Sequence, residues 1–313
     1  MAPGLGRLAL AVAAAALAGC GLGPGPASEG TATLTVTRDY GTTPVVEASV
    51  DDPDESETVL RMLDREADIE TRYGGGFVQA IDGIAGEVRG GRRLDWFFYV
   101  NGIESPIGSA ERPVAGGDRV WWDHHDWTAA MRVPAVVGSW PEPFLQSSAS
   151  DERLPVRVEC AGHRQPCRTA AERLADEGVS VSEVAFGRAS GSDALRMLVG
   201  PWQVVRRDPG AAQIDDGPAA SGVFARFEDD GDATELVALD QRADPASRLG
   251  AGAGLVAAVR DGERPPTWIV SGVDSAGVRA AVARLDPEVL RDRYAVVVGA
   301  GSDLSLAVPV VQP

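Results

Sequence analysis

The sequence predicts an α+β protein in two units: an N-terminal sheet crossed by one helix, then an α/β domain with a mixed sheet. Three observations predict it. Residues 31–127 read strand, strand, helix, strand, strand, strand; residues 155–313 alternate strands with helices; and residues 128–154 between them carry Pro and Ser clusters with no clean period. A chain of 313 residues has room for two ordinary domains, and at 44% hydrophobic and 24% charged it can form a packed body.

The elements follow in order. "TATLTVTRDYGTTPVVEASV" gives two β-rich runs around a turn at Gly41. "DDPDESETVLRMLDREADIETRYGGG" changes period: acids crowd its start, Val59, Leu60, Met62, Leu63 and Ala67 favour one side, and glycines end it, so an amphipathic helix is expected. "GFVQAIDGIAG" reads as a strand and turn. "LDWFFYVNGIE" reads as a strand closed by Asn101-Gly102, and "VAGGDRVWWDHHDW" as the last strand. This order is that of a β-grasp domain. In the second unit "PVRVEC", "VSEVAFG", "ALRMLVG", "PTWIVSGV" and "YAVVVG" are strands. "CRTAAERLADEGV" and "DSAGVRAAVARLDPEVLRDR" are helical, and "GVFARF" with "ELVALD" forms a hairpin around the acidic turn "EDDGD". Trp140, Phe144 and Leu145 make the 128–154 linker one that packs down.

The net charge of -17 and the absence of Lys argue against nucleic acid as a partner, since phosphate binding needs clustered cations. The N-terminus has one basic residue, Arg7, then an apolar run from Leu8 to Ala18 that is short for a membrane span. Residues 1–19 read as a secretory signal peptide. Leu17-Ala18-Gly19-Cys20 resembles the lipobox of bacterial lipoproteins, which implies cleavage before Cys20 and lipidation of that residue. Residues 20–30, rich in Gly, Pro and Ser, then suit a flexible tether. The expected location is extracytoplasmic, anchored to the cell membrane by lipid.

The ordered set Val100-Asn101-Gly102, a small-residue loop, Gly117-Asp118 and a Trp-containing strand, all after a helix, resembles a bacterial domain family of uncertain function. That family is related to the C-terminal β-grasp domain of transcobalamin and intrinsic factor. The resemblance covers residues 31–127 and implies a ligand-binding sheet. Those animal proteins hold cobalamin between this domain and a helical barrel that has no counterpart here, so cobalamin specificity does not carry over.

Enzyme motifs are absent: no G-x-S-x-G elbow, no H-E-x-x-H and no phosphate loop ending in Gly-Lys-Ser/Thr. "GAGAG" at 250–254 and "GAGSDL" at 299–304 read as turns. The acidic clusters "DDPDESE" and "EDDGD" lack calcium-loop spacing. Alternation along "VWWDHHDW" puts Trp121, Asp123, His125 and Trp127 on one face and Trp122, His124 and Asp126 on the other, so the adjacent His residues cannot converge on a metal. The partner strand splits likewise, Trp96, Phe98 and Val100 against Phe97 and Tyr99. Large aromatics on both faces mean that the helix-free face is covered by the second unit or serves as a binding platform. The candidate ligand-binding residues are therefore Trp96, Phe98, Tyr99, Asn101, Trp121, Trp122, His125 and Trp127, with no catalytic or metal site and no resident cofactor. Cys160 and Cys167 are expected as a disulfide worth about 2 kcal/mol in an oxidising compartment. Free thiols, or a metal shared with His163, are the alternatives. The leading function is a non-enzymatic lipid-anchored binding protein for a corrinoid-like or other bulky molecule, delivering it to a membrane transporter. The alternatives are a structural lipoprotein contacting envelope protein or polysaccharide and, behind it, an envelope hydrolase.

Overall fold

A computed structural model describes residues 27–73, 76–146, 153–188, 194–231, 233–301 and 305–312. The signal peptide 1–19, Cys20 and most of the tether lie outside the described residues.

The first unit contains β1 (Thr31–Arg38), β2 (Thr43–Asp51), α1 (Val59–Glu66), β3 (Ile69–Arg72), β4 (Phe77–Ile81), β5 (Ile84–Ala85), β6 (Glu87–Arg89), β7 (Arg92–Val100), β8 (Ile103–Glu104) and β9 (Arg119–Asp126). Its main sheet runs β2-β1-β9-β7-β6, with β8 paired to the end of β7. The first and last strands, β1 and β9, lie parallel at the centre, from Thr33↔Arg119 to Arg38↔His124, as in a β-grasp. Alternation in β1 turns Ala32, Leu34 and Val36 inward. They meet Val59, Met62 and Leu63 of α1, with Trp96, Val100, Val120 and Trp122, in one core.

The helix is shorter than the sequence predicts. Its cap is Thr58, whose side chain accepts from Arg61 N, and no acid lies in its first turn. The preceding acids form local turns instead: Asp54 Oδ1 accepts from Ser56 N at 2.8 Å and Ser56 Oγ at 2.6 Å. The β-branched Ile69 and Thr71 leave the helix to form β3, which joins β4 and β5 in a separate small sheet.

The second unit contains β10 (Val156–Cys160), α2 (Arg164–Asp176), β11 (Val181–Ala185), β12 (Leu195–Pro201), α3 (Trp202–Val205), α4 (Pro209–Ala212), α5 (Pro218–Ser221), β13 (Ala225–Asp230), β14 (Ala233–Leu239), β15 (Pro245–Leu249), β16 (Gly254–Val259), β17 (Thr267–Gly272), α6 (Ser275–Val282), α7 (Pro287–Leu290), β18 (Ala295–Val298) and β19 (Ser305–Val308). Its mixed seven-stranded sheet runs β11-β10-β12-β17-β16-β18-β19. The first four strands are parallel and the rest antiparallel. Buried β16 and β18 read as unbroken apolar runs, because both of their faces are covered. Residues of α2 and α6 pack in one core with Trp140, Phe144 and Trp268. Trp202, Phe224, Phe227 and the β13–β15 hairpins lie in the other core.

The stretch after β9 packs as expected from its aromatics: Ala130, Val133 and Val136 join one core, Trp140 and Phe144 the other. One expectation is corrected. Cys160 and Cys167 are free thiols, with Cys167 buried in the first turns of α2 and its Sγ 3.8 Å from Val199 O. Burial is the main cause that pushes both thiols above their usual range, and the two sulfurs act on each other as thiols. Among the described residues no helix is long and apolar enough to cross a membrane.

Candidate functional site

The register of β7 with β9 pairs Trp96↔His124, Phe98↔Trp122 and Tyr99↔Trp121, and it sorts the predicted residues onto two faces. Trp96, Phe98 and Trp122 face α1: Trp96 and Trp122 are buried in that core, and Phe98 stacks on Trp122 at 4.8 Å. His124 sits on the same side, its ring 5.0 Å from Trp96 and its Nε2 3.2 Å from Ala85 O. Burial pushes its pKa below the usual imidazole range.

The opposite face carries Tyr99, Trp121, Asp123 and His125, and the second unit covers it. Tyr294, which directly precedes β18, places its ring 5.2 Å from Trp121, 5.4 Å from His125 and 5.8 Å from Tyr99. Phe224 closes on Tyr40 at 5.4 Å, and Tyr40 lies 4.7 Å from the His125 ring. Of the two readings of this face, cover by the second unit and a binding platform, the structure has the cover at these residues. The apolar area of this face is removed from water by the second unit itself, which favours the docked arrangement.

At its centre Asp123 is fully buried and saturated. Oδ1 accepts from Thr37 Oγ1 at 2.6 Å and Gly41 N at 3.0 Å. Oδ2 accepts from Tyr40 N at 3.1 Å, Tyr294 Oη at 3.0 Å and His125 Nδ1 at 3.0 Å. Tyr294 Oη is also 2.9 Å from His125 Nδ1. One proton arrangement satisfies all three: Tyr294 donates to Asp123, and His125 Nδ1–H is shared between the two oxygens. Burial alone would raise the Asp123 carboxyl, but the hydrogen bond and electrostatic attraction of His125, with Thr37 and Gly41, outweigh it and hold it below the usual range. Burial, then the Asp123 charge, pushes the Tyr294 phenol far above its ordinary range, so it stays a donor. The groups are those of acid–base chemistry, yet His125 is 2% exposed and a substrate has no access. Their work here is to lock two units together.

The lock depends on close backbone contact. Gly41 adopts φ 80°, and a Cβ there would lie 1.9 Å from Asp292 O. Asp292 itself lines a neighbouring cavity of about 290 Å³ with Glu47, Arg119 and Trp121, and burial pushes its carboxyl up to about 6.

Trp127 departs from the predicted face. It follows the end of β9, where Arg93 lies 5.1 Å over its ring, and it lines a surface cleft with Phe77, Val88 and Arg72. Asn101 keeps its predicted turn, with φ 55° and Gly102 at 74°. It also explains the Asn-Gly and Gly-Asp elements of the sequence. Asn101 Nδ2 donates to Asp118 Oδ1 at 2.7 Å, Asn101 Oδ1 accepts from Arg119 N at 2.9 Å, and Asp118 Oδ2 accepts from Ala115 N at 3.0 Å. This small network ties the end of β7 to the start of β9.

Beside that turn lies a cleft of about 350 Å³ between the units. The first unit supplies Val100, Asn101, Ile103, Ile107 and Arg112. The linker supplies Pro143 and Gln146, and the second unit Leu195, Arg260, Pro265 and Pro266. Half-buried Glu104 is held there by Arg132 Nε at 3.2 and 3.3 Å, and burial pushes its carboxyl up. Of the predicted binding residues, only Asn101 reaches this cleft. Sequence reading missed Arg260 and the Pro265-Pro266 pair, because isolated residues in a loop carry no periodic signal. Among the described residues no group of three or more His, Cys, Asp or Glu is placed to hold a metal ion.

Comparison with known proteins adds three findings. No curated protein matches the chain. A solved structure described as a "putative metal binding protein" from Ruminococcus gnavus ATCC 29149 aligns with 17% identity and a TM-score of 0.25, covering 31% of this chain and 98% of that one. Residues 56–126, from just before α1 to the last residue of β9, match a family described as a domain of unknown function, DUF4430.

Proposed function

We propose that the protein is a non-catalytic binding protein of the cell envelope, held at the membrane by lipid on Cys20, and that it captures a small molecule in the cleft between its units. The observation that carries this reading is the cleft itself. It combines apolar walls from both units with a few fixed polar groups, the usual composition of ligand sites, at the unit boundary where such sites concentrate. Its volume of about 350 Å³ is at the small end of ligand pockets, which run from about 300 to 1,000 Å³. A corrinoid, suggested by the transcobalamin-like resemblance, would project out of it, so a smaller molecule is the better fit. Delivery to a membrane transporter is the role that an anchored capture protein of this kind would serve.

Two variants test the reading. Ile107→Trp fills the mouth of the cleft from a position that is 43% exposed, so folding should survive. Full-length protein extracted in detergent should release, on denaturation, a small molecule that the folded variant lacks. Identical extracts from both would sink the capture reading and favour an envelope protein that contacts protein or polysaccharide. Cys20→Ala should move the protein from the membrane fraction to the soluble one. Titration with cobalamin and cobinamide, followed by corrin absorption, decides the corrinoid version.

A further inference from the structure

The charged groups of the cleft bear on what it would hold. Arg112 comes from the loop before β9, and Arg260 directly follows β16, so both units contribute arginine to the same cleft, with Arg264 a further one from the second unit. Among the described residues neither makes an ion pair, whereas neighbouring Arg132 and Arg264 pair with Glu104 and Asp261. Arg260 is held by its own loop: Nε donates to Arg264 O at 2.8 Å and Nη2 to Glu263 O at 3.2 Å. Those bonds fix the plane of the guanidinium, and among the described residues Nη1 has no hydrogen-bond partner. Burial, and then the charge of Arg132, makes this cation harder to keep protonated. A guanidinium fixed, partly desolvated and outside any ion pair among the described residues gains from an anion, which it can meet with two parallel bonds.

The acids of the cleft limit the charge of that anion. Glu104 is taken by Arg132, Glu142 accepts from Gln146 N at 3.0 Å, and Glu263 is exposed to solvent. The charged lining is Arg112, Arg260 and Arg264 with Glu104, Glu142 and Glu263, so the surroundings are nearly neutral and a polyanion finds no excess of cations. Beside the polar Asn101, Ser105 and Gln146, the remaining wall is apolar, with Ile103, Ile107, Leu154, Leu195 and Pro266.

We infer that the cleft takes an amphipathic monoanion, its apolar body against Ile103, Leu154 and Pro266 and its carboxylate or sulfonate head on Arg260, with Arg112 second. This rests on the capture reading above and narrows its ligand class. The probes are octanoate, octanol and octylammonium, titrated against full-length detergent-extracted protein by displacement of anilinonaphthalene sulfonate, itself an amphipathic monoanion. Octanoate should displace the dye at least tenfold more effectively than octanol or octylammonium. Arg260→Gln should weaken octanoate by about tenfold and leave octanol unchanged, which also shows that the cleft is intact. Arg260→Lys should recover part of the loss. Equal affinity for octanoate and octanol, a preference for octylammonium, or no binding by any probe would overturn the inference. The capture reading is judged separately, by what wild type releases and Ile107→Trp does not.

Discussion

Replacing Tyr294 with Phe deletes one oxygen from the lock between the units and leaves its ring in place. That oxygen donates to Asp123 Oδ2 at 3.0 Å, lies 2.9 Å from His125 Nδ1 and touches Tyr99 Oη at 3.4 Å. The phenyl ring retained in the variant keeps its contacts with Tyr40, Trp121 and His125. No large cavity opens, and the loss is almost purely polar. A hydrogen bond to a charged group contributes about 1.5–3 kcal/mol, and a neutral one about 1 kcal/mol. Asp123 keeps Thr37, Tyr40 N, Gly41 N and His125 as donors, so its charge is not stranded. The expected cost is therefore about 2–3 kcal/mol, not the larger penalty of an unpaired buried ion.

For a chain of this size that corresponds to a fall in Tm of about 3–5 °C. Near-ultraviolet circular dichroism is the suitable signal, because the Trp121 ring lies 5.2 Å from the Tyr294 ring and reports on the interface directly. The penalty should persist across about pH 5 to 8. The pKa of Asp123 is depressed in the folded protein, so its contribution is present above the unfolded value and is lost only as the pH falls through the folded one. A second variant, His125→Gln, shares the same partners, so the two changes should not add. A Tm shift below about 1 °C for Tyr294→Phe, or simple additivity of the pair, would refute the assignment of this network as the lock.

Two further outcomes follow from the same interface. The pKa of Asp292 is raised to about 6 by burial, with Glu47 adding to the rise and Arg291 and Arg293 opposing it, so ionisation above that pH costs stability. Asp292→Asn, which tolerates the left-handed φ of 54°, should melt above wild type at about pH 8, and the gap should narrow below about pH 6 and close only near the unfolded value of about 4 in paired melting curves. Gly41→Ala drives a Cβ to 1.9 Å from Asp292 O and should cost more than about 3 kcal/mol, read as loss of the cooperative melt. Gly90→Ala is its control: Gly90 has φ 59° with nothing within 4 Å of the added carbon, so only the strain of about 1 kcal/mol should appear.

Alternation made one part of the site legible. "VWWDHHDW" divides into two faces at one residue per step, and His124 and His125 do lie on opposite sides of β9. The order of elements likewise made the parallel pairing of β1 with β9 foreseeable. What covers the helix-free face was not legible, because the answer lies at Tyr294, 169 residues from His125. Nothing in "DRYAVVVG" marks that Tyr as a partner of Asp123. The short strands β5, β6 and β8 escaped for a different reason. Two or three residues carry no period, and their pairing is imposed by the longer strands beside them.

The lock and the cleft share a strand, and this links the buried network to binding. Tyr99 touches Tyr294 across the interface, and just beyond it Val100, at the end of β7, and Asn101, in the turn after it, form part of the cleft wall. Asn101 is in turn held by Asp118 and Arg119 N at the start of β9, the strand that carries Asp123 and His125. The cleft walls come from both units, so its shape depends on their fixed placement, and the Asp123–His125–Tyr294 network sets that placement from behind. Loosening a supporting shell typically costs affinity without removing a ligand contact. Tyr294→Phe should therefore weaken octanoate while leaving its preference over octanol intact, whereas Arg260→Gln should erase the preference. If Tyr294→Phe erased the preference too, the head group would be bound through the interface and not by Arg260.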